Sequence, residues 1–251
     1  MKRMKVLILT LAGFVALLAL SACASETPLL TKKGSAALGE QVVGATEAVL
    51  SKRQKRLACV GDSITFGFGI EGREVNSYPA RLQELLGAGW LVGNFGKNGA
   101  TALKEGHAPY WTAPQYQKAL QFEPDLVIIK LGTNDCRPEN WSDHGDEYVA
   151  DYIDLIRSFQ GLESKPSVWL CTSAPIFPGP VVERLGFSNA IIKREIIPML
   201  QTIAAETGAE VIDLYSVLDD KPAYFLDGVH PNATGAEVMA KTVAAKMVRS
   251  E

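Results

Sequence analysis

The chain has 251 residues, the length of one large domain or two small ones. Its 25 Lys+Arg against 28 Asp+Glu leave a net charge of −3, which excludes the basic surface that neutralises many phosphates, so no nucleic-acid partner is expected. With 47% apolar and 21% charged residues the composition is that of a folded protein, and four cysteines without a CxxC pair make neither a disulfide scaffold nor a zinc knuckle.

The first five residues, MKRMK, carry three positive charges, and Val6 to Leu20 then run without any charge. Fifteen such residues suit the apolar region of an export signal better than a membrane span, which takes about 20. Leu20-Ser21-Ala22-Cys23 follows and resembles the lipobox of bacterial lipoproteins, where the signal is cut before the cysteine and its sulfur takes a diacylglycerol. That resemblance implies a signal over 1–22, lipidation at Cys23 and membrane attachment through acyl chains. Loss of Lys2, Arg3 and Lys5 takes the net charge from −3 to −6, so attachment does not draw on basic attraction to anionic lipid. Ala24, where Asp would hold such a protein back, resembles the pattern sorted onward. The expected location is the cell envelope, lipid-anchored at the outer membrane and facing the periplasm or the cell surface.

Residues 23–56 read as a tether, with a short helix around Ala36 to Leu50 and a solvated basic run from Lys52 to Arg56. The domain proper is expected over 57–251. Leu57 to Val60 is a buried strand by composition, and Ser77 to Leu86 has helical spacing with Pro79 in its first turn. Trp90 to Phe95 reads as a strand and Gln115 to Phe122 as a helix. Asp125 to Leu131 (DLVIIKL) is the strongest buried strand, in which Lys130 is expected at the strand end with its amine in water. Asp146 to Phe159 is an amphipathic helix, Ser167 to Thr172 a strand, Asn189 to Glu206 a helix, Glu210 to Leu214 a strand, and Ala233 to Val248 the closing helix. Five short strands alternating with helices predict an α/β domain on a parallel sheet covered on both faces, with its site at the carboxyl ends of the strands.

Four segments fall at those ends: Gly61-Asp62-Ser63-Ile64-Thr65, Asn94 to Thr101, Gly132-Thr133-Asn134-Asp135 and Asp227-Gly228-Val229-His230-Pro231. Acyl transfer needs a nucleophile, a base, an orienting acid and donors for an oxyanion. Ser63 fits the nucleophile, His230 the base, and Asp227, three residues earlier, the acid. The N–H groups of Ser63 and Gly96 with the Asn134 amide supply the oxyanion donors.

In this order the four segments resemble the GDSL esterases, or SGNH hydrolases, with Ser63, Gly96, Asn134 and His230 matching the four letters and Asp227 the acid of the Asp-x-x-His block. The resemblance covers 57 to about 248 and implies a flavodoxin-like three-layer α/β/α sandwich. The text around the blocks is most similar to carbohydrate O-acetylesterases, including sialate and xylan acetylesterases. It implies an esterase that removes acetyl groups from carbohydrates. The alternatives are a lysophospholipase or thioesterase of the same superfamily, or a non-catalytic glycan-binding lipoprotein. No cofactor or metal is expected. His107 and His144 read as exposed loop histidines, and Trp111 and Trp141 as candidate sugar-stacking contacts. Of Cys59, Cys136 and Cys171, an odd number, at least one must be free or paired outside the chain.

Overall fold

Along β1 (Lys55–Gly61), β3 (Leu126–Lys130) and β4 (Ser167–Cys171) nearly every residue is buried, as a parallel sheet covered on both faces requires. In the computed structural model, which describes residues 53–250, β2 (Trp90–Gly96) and β5 (Glu210–Ile212) flank these three. The strand order is β2-β1-β3-β4-β5 and every pairing is parallel. Successive side chains point to opposite faces. Leu57, Cys59, Ile128, Trp169 and Ile212 therefore join one core cluster, and Ala58, Val60, Ile129, Val168 and Leu170 the other.

The first cluster is closed by the helix Tyr78–Leu86, through Tyr78 and Leu82, packed on the last helix, Ala233–Ser250, through Met239, Ala240 and Val243. The second is closed by Tyr148–Gln160, through Tyr152, Leu155 and Phe159, packed on Ile197–Thr207, through Leu200 and Ile203. The result is the expected three-layer arrangement. The chain leaves β1 for β2 on one side and returns to β3 on the other, so the strand order reverses between β1 and β3, where such sheets open a crevice at their carboxyl ends.

Element ends depart from the sequence reading for local reasons. β5 stops at Ile212, because Asp213 accepts from Ser216 N–H (3.0 Å) and caps the helix Leu214–Leu218. The predicted helix over Asn189–Glu206 contains a π turn, Ile192–Ile196, just before Pro198, whose missing N–H deprives the Arg194 carbonyl of its helical partner. β1 begins two residues before Leu57, and the basic run is partly pinned: Arg53 pairs with Asp125 (2.6 Å) and Arg56 with Glu123 (3.3 Å). Cys59, Cys136 and Cys171 are all buried free thiols. The expected signal, the lipidation at Cys23 and the helix around Ala36 to Leu50 lie outside the described residues.

Candidate active site

Ser63 opens a one-turn helix, Ser63–Phe66, directly beyond β1. Asp62 caps that turn, its Oδ1 accepting from Ile64 N–H at 2.9 Å. As the first residue of the turn, Ser63 keeps an N–H that no intrahelical carbonyl takes. Gly67 ends the turn at φ +85, a conformation open to glycine, so the chain doubles back and leaves Oγ at the sheet edge.

Ser63 Oγ lies 2.8 Å from His230 Nε2, and His230 Nδ1 lies 2.6 Å from Asp227 Oδ2. Asp227 Oδ1 accepts the N–H groups of Val229 (2.9 Å) and His230 (2.8 Å), so the loop that carries His230 also fixes Asp227. Burial pushes the Asp227 carboxyl upward, but the His230 N–H, the imidazole and the Val229 N–H together hold it below its ordinary value. The carboxylate therefore faces a ring nitrogen that must carry a proton, which leaves Nε2 as the acceptor toward Ser63. Phe68 packs its ring on His230, with centroids 4.8 Å apart.

A cavity of about 190 Å³ opens beside these groups, lined among others by Ser63, Phe68, Gly99, Asn134 and His230. Asn134 is buried, and its Nδ2 donates to the Ala100 carbonyl at 3.0 Å, which leaves the second amide hydrogen uncommitted. Its own carbonyl accepts from Asn140 Nδ2 at 2.7 Å, which ties the Asn134 turn to the helix Pro138–His144.

Gly96 does not line this cavity. Its N–H donates to Asn94 Oδ1 at 3.0 Å, and a Cβ there would meet the Phe66 nitrogen at 2.1 Å. This glycine is needed for the close approach of β2 to the Ser63 turn. Gly99, three residues on at φ +77, lines the cavity instead, and its N–H has no protein acceptor among the described residues. The spacing signal existed in the sequence: Gly99 lies past the strand on the turn, where donors to a ligand are expected, whereas Gly96 closes the strand itself.

Lys130 is the largest departure. Both it and Asp62 are wholly buried, with Nζ 3.0 Å from Asp62 Oδ2 and 2.5 Å from Thr133 Oγ1. The expectation of a water-exposed amine fails because Lys130 is the last residue of a central strand, β3, with the Ser63 turn packed over it. The ion pair links the cap of the Ser63 turn to the turn that bears Asn134. Asp135, next to Asn134, is buried as well; its Oδ1 accepts from Ala102 and Leu103 N–H at 2.9 Å, and burial pushes its carboxyl up to about 7.

Trp111 and Trp141 do not reach the cavity. Trp111 donates Nε1–H to the Ala102 carbonyl (3.1 Å) and packs on Tyr116; Trp141 donates to Glu195 (2.9 Å) and packs on Tyr148. His144 contacts Glu147 (3.5 Å) away from the site. His107 is exposed, as expected, yet it stands at the site's edge: Nε2 accepts from Arg137, a cavity residue, at 3.1 Å. Among the described residues no cluster of His, Cys, Asp and Glu could hold a metal ion.

The sequence profile of the GDSL-like lipase/acylhydrolase family matches residues 59–238. The chain is 38% identical over 208 residues to the acetylxylan esterase of Xylanibacter ruminicola, an overlap of 76% of this chain and 42% of that protein. A GDSL esterase/lipase of Arabidopsis thaliana is 25% identical over 203 residues, 74% of this chain and 75% of the plant protein. Among solved structures, a carbohydrate acetylesterase from Sinorhizobium meliloti superposes with a TM-score of 0.66 at 18% identity, covering 78% of this chain and 100% of that one, a likeness of fold. With a profile match that runs from β1 into the last helix, this chain belongs to the GDSL-like lipase/acylhydrolase family, the SGNH hydrolases.

Proposed function

We propose that this chain is a serine esterase that removes acetyl and other short acyl groups from carbohydrate esters. The observation that carries the reading is the relay from Ser63 through His230 to Asp227, at 2.8 and 2.6 Å, beside a small cavity. Ser63 Oγ bonds to the ester carbonyl carbon as its proton passes to His230 Nε2. Asp227 stabilises the imidazolium so formed. The oxygen that gains charge is met by the N–H groups of Ser63 and Gly99 and by Asn134 Nδ2, donors already in place before the reaction. The bond to the sugar oxygen breaks as Nε2 returns the proton to it, leaving an acyl-enzyme. Water then repeats the sequence, with His230 as base, and releases the acid.

The short-acyl preference is supported by size. A cavity of about 190 Å³ is below the roughly 300–1,000 Å³ of sites that enclose whole drug-sized ligands. The carbohydrate reading is supported by the acetylxylan esterase, whose remaining length this chain does not span. Attachment to the cell envelope through Cys23 belongs to the same proposal; Cys23→Ser should release the protein from membranes, and unchanged processing and partitioning would refute the anchor.

The test of activity is acetate release from acetylated xylan and other acetylated glycans, alongside p-nitrophenyl acetate, butyrate, octanoate and palmitate, by the full chain and by Ser63→Ala. Acetyl esters should lead in kcat/KM and Ser63→Ala should fall to background. Preference for octanoate or palmitate would replace this reading with the lipid-esterase one, and an inert wild type with the glycan-binding one.

A further inference from the structure

The chain is acidic overall, at −3, yet the catalytic cavity is lined by two guanidinium groups, Arg137 and Arg184, and by no carboxylate. The two arginines differ in what already holds them. Arg137 pairs with Glu139, donates to His107 Nε2 at 3.1 Å and faces the Phe187 ring at 5.6 Å, so its charge is compensated and its place fixed. Arg184 sits in the last turn of the short helix Pro180–Leu185, is exposed, and has no hydrogen bond or ion pair among the described residues. A cation at a helix end is ordinary in itself. That position does not account for a cavity wall that carries cations only, since Glu183, its neighbour on the same helix, stays off the cavity.

Phe68, Val181, Leu185 and Phe187 make the apolar part of the lining, and these side chains limit how far water can screen a charge bound among them. An uncommitted guanidinium beside such a wall suits a carboxylate, which it meets with two parallel N–H donors. It also draws anions toward the site against the protein's own net charge.

We infer that the catalytic cavity selects esters whose alcohol part carries a carboxylate, as an acetylated uronic-acid residue does, and that Arg184 is the residue that reads it. This rests on the esterase reading and adds the charge of the substrate to it. An acetyl ester on a neutral sugar is also a substrate, but a poorer one.

The test compares two substrates that differ only in charge: O-acetylated methyl glucuronoside and its C6 carboxamide, with acetate release followed for the full chain in detergent. Wild type should favour the carboxylate in kcat/KM by about three- to fivefold, as an ion pair to an exposed guanidinium allows, and the preference should fall toward one as salt is raised to about 1 M. Arg184→Glu should invert the ratio, and Arg184→Lys should retain part of it, because the charge remains and the paired donors do not. A wild-type ratio at or below one would overturn the inference, as would a ratio that Arg184→Glu leaves unmoved. Turnover of p-nitrophenyl acetate by the same preparation separates the two failures. If that ester is cleaved while the ratio is flat, the inference falls and the esterase reading stands; if it is not cleaved, both fall.

Discussion

Two carboxylates stand at the carboxyl edge of the same sheet, Asp227 beside an imidazole and Asp62 beside an ammonium, and they differ in what surrounds them. Asp227 and His230 share one loop three residues apart, keep some solvent exposure, and present the far side of the imidazole to Ser63. Asp62 and Lys130 come from different strand ends, are wholly buried, and touch only each other and the turns they join. In the proposed mechanism the first pair passes a proton, and the second holds still the turns between which it passes. A buried ion pair is a poor source of net stability, since desolvation offsets the attraction, and its clearest effect is to fix geometry. Removing one member, however, leaves a charge stranded in the interior.

Cutting each pair once separates the two roles. His230→Ala should lower kcat for an acetyl ester by about 10⁴-fold or more with little change in denaturant midpoint. Lys130→Met should act mainly on the fold, at a cost of about 3–5 kcal/mol, since Asp62 is left buried without its cation. Activity assays and urea melts on both variants check this; a His230→Ala protein that loses stability, or a Lys130→Met protein that does not, would erase the distinction.

A gentler cut in the first pair removes only the charge of Asp227. Asp227→Asn should retain more activity than His230→Ala, and the acid limb of its kcat/KM profile should move to lower pH, because the carboxylate that favours the imidazolium is gone. In the wild type the Asp227 carboxyl is held below its ordinary value, so it stays charged across that limb. A limb that stays in place at unchanged rate would show that Asp227 does not act on His230.

A further effect concerns Asp135, a buried acid with no cation paired to it among the described residues. Burial pushes the Asp135 carboxyl up to about 7 in the folded chain, against about 3.9 for a carboxyl in an unfolded one. Across that window the native state binds a proton that the unfolded state has released, so the carboxyl subtracts stability as pH rises. Asp135→Asn keeps the oxygen that accepts from Ala102 and Leu103 and removes the titration. Its stability relative to wild type should therefore climb between about pH 4 and 7 and level off above. A difference that stays flat over that range, measured by urea melts, would contradict the argument.

How far the sequence discloses these features follows from where their signals lie. Strand and helix order is legible because burial on both faces writes Leu57 to Val60 and Asp125 to Leu131 as apolar runs. Ser63, Asp227 and His230 are legible because each sits in a short, chemically marked segment. Lys130 is misread because nothing local announces that a turn from another strand will cover it with Asp62. Gly96 closes β2 and Gly99 lies on the turn beyond it, but the close approach of Gly96 to Phe66 has no mark in the local sequence. Trp111 and Trp141 carry the composition of a sugar site but spend their faces on Tyr116 and Tyr148. Arg184 gives no signal in the sequence, since its place on the cavity depends on how the helix Pro180–Leu185 folds over the site.

Covalent labelling shows whether Ser63 Oγ is the nucleophile that His230 activates. The full chain is treated with an active-serine phosphonate and the adduct is located by peptide mass spectrometry. A single adduct on Ser63, absent from Ser63→Ala and much slower to form in His230→Ala, is the predicted result. An adduct on a different serine, or hydrolysis that continues while Ser63 stays unlabelled, would contradict it.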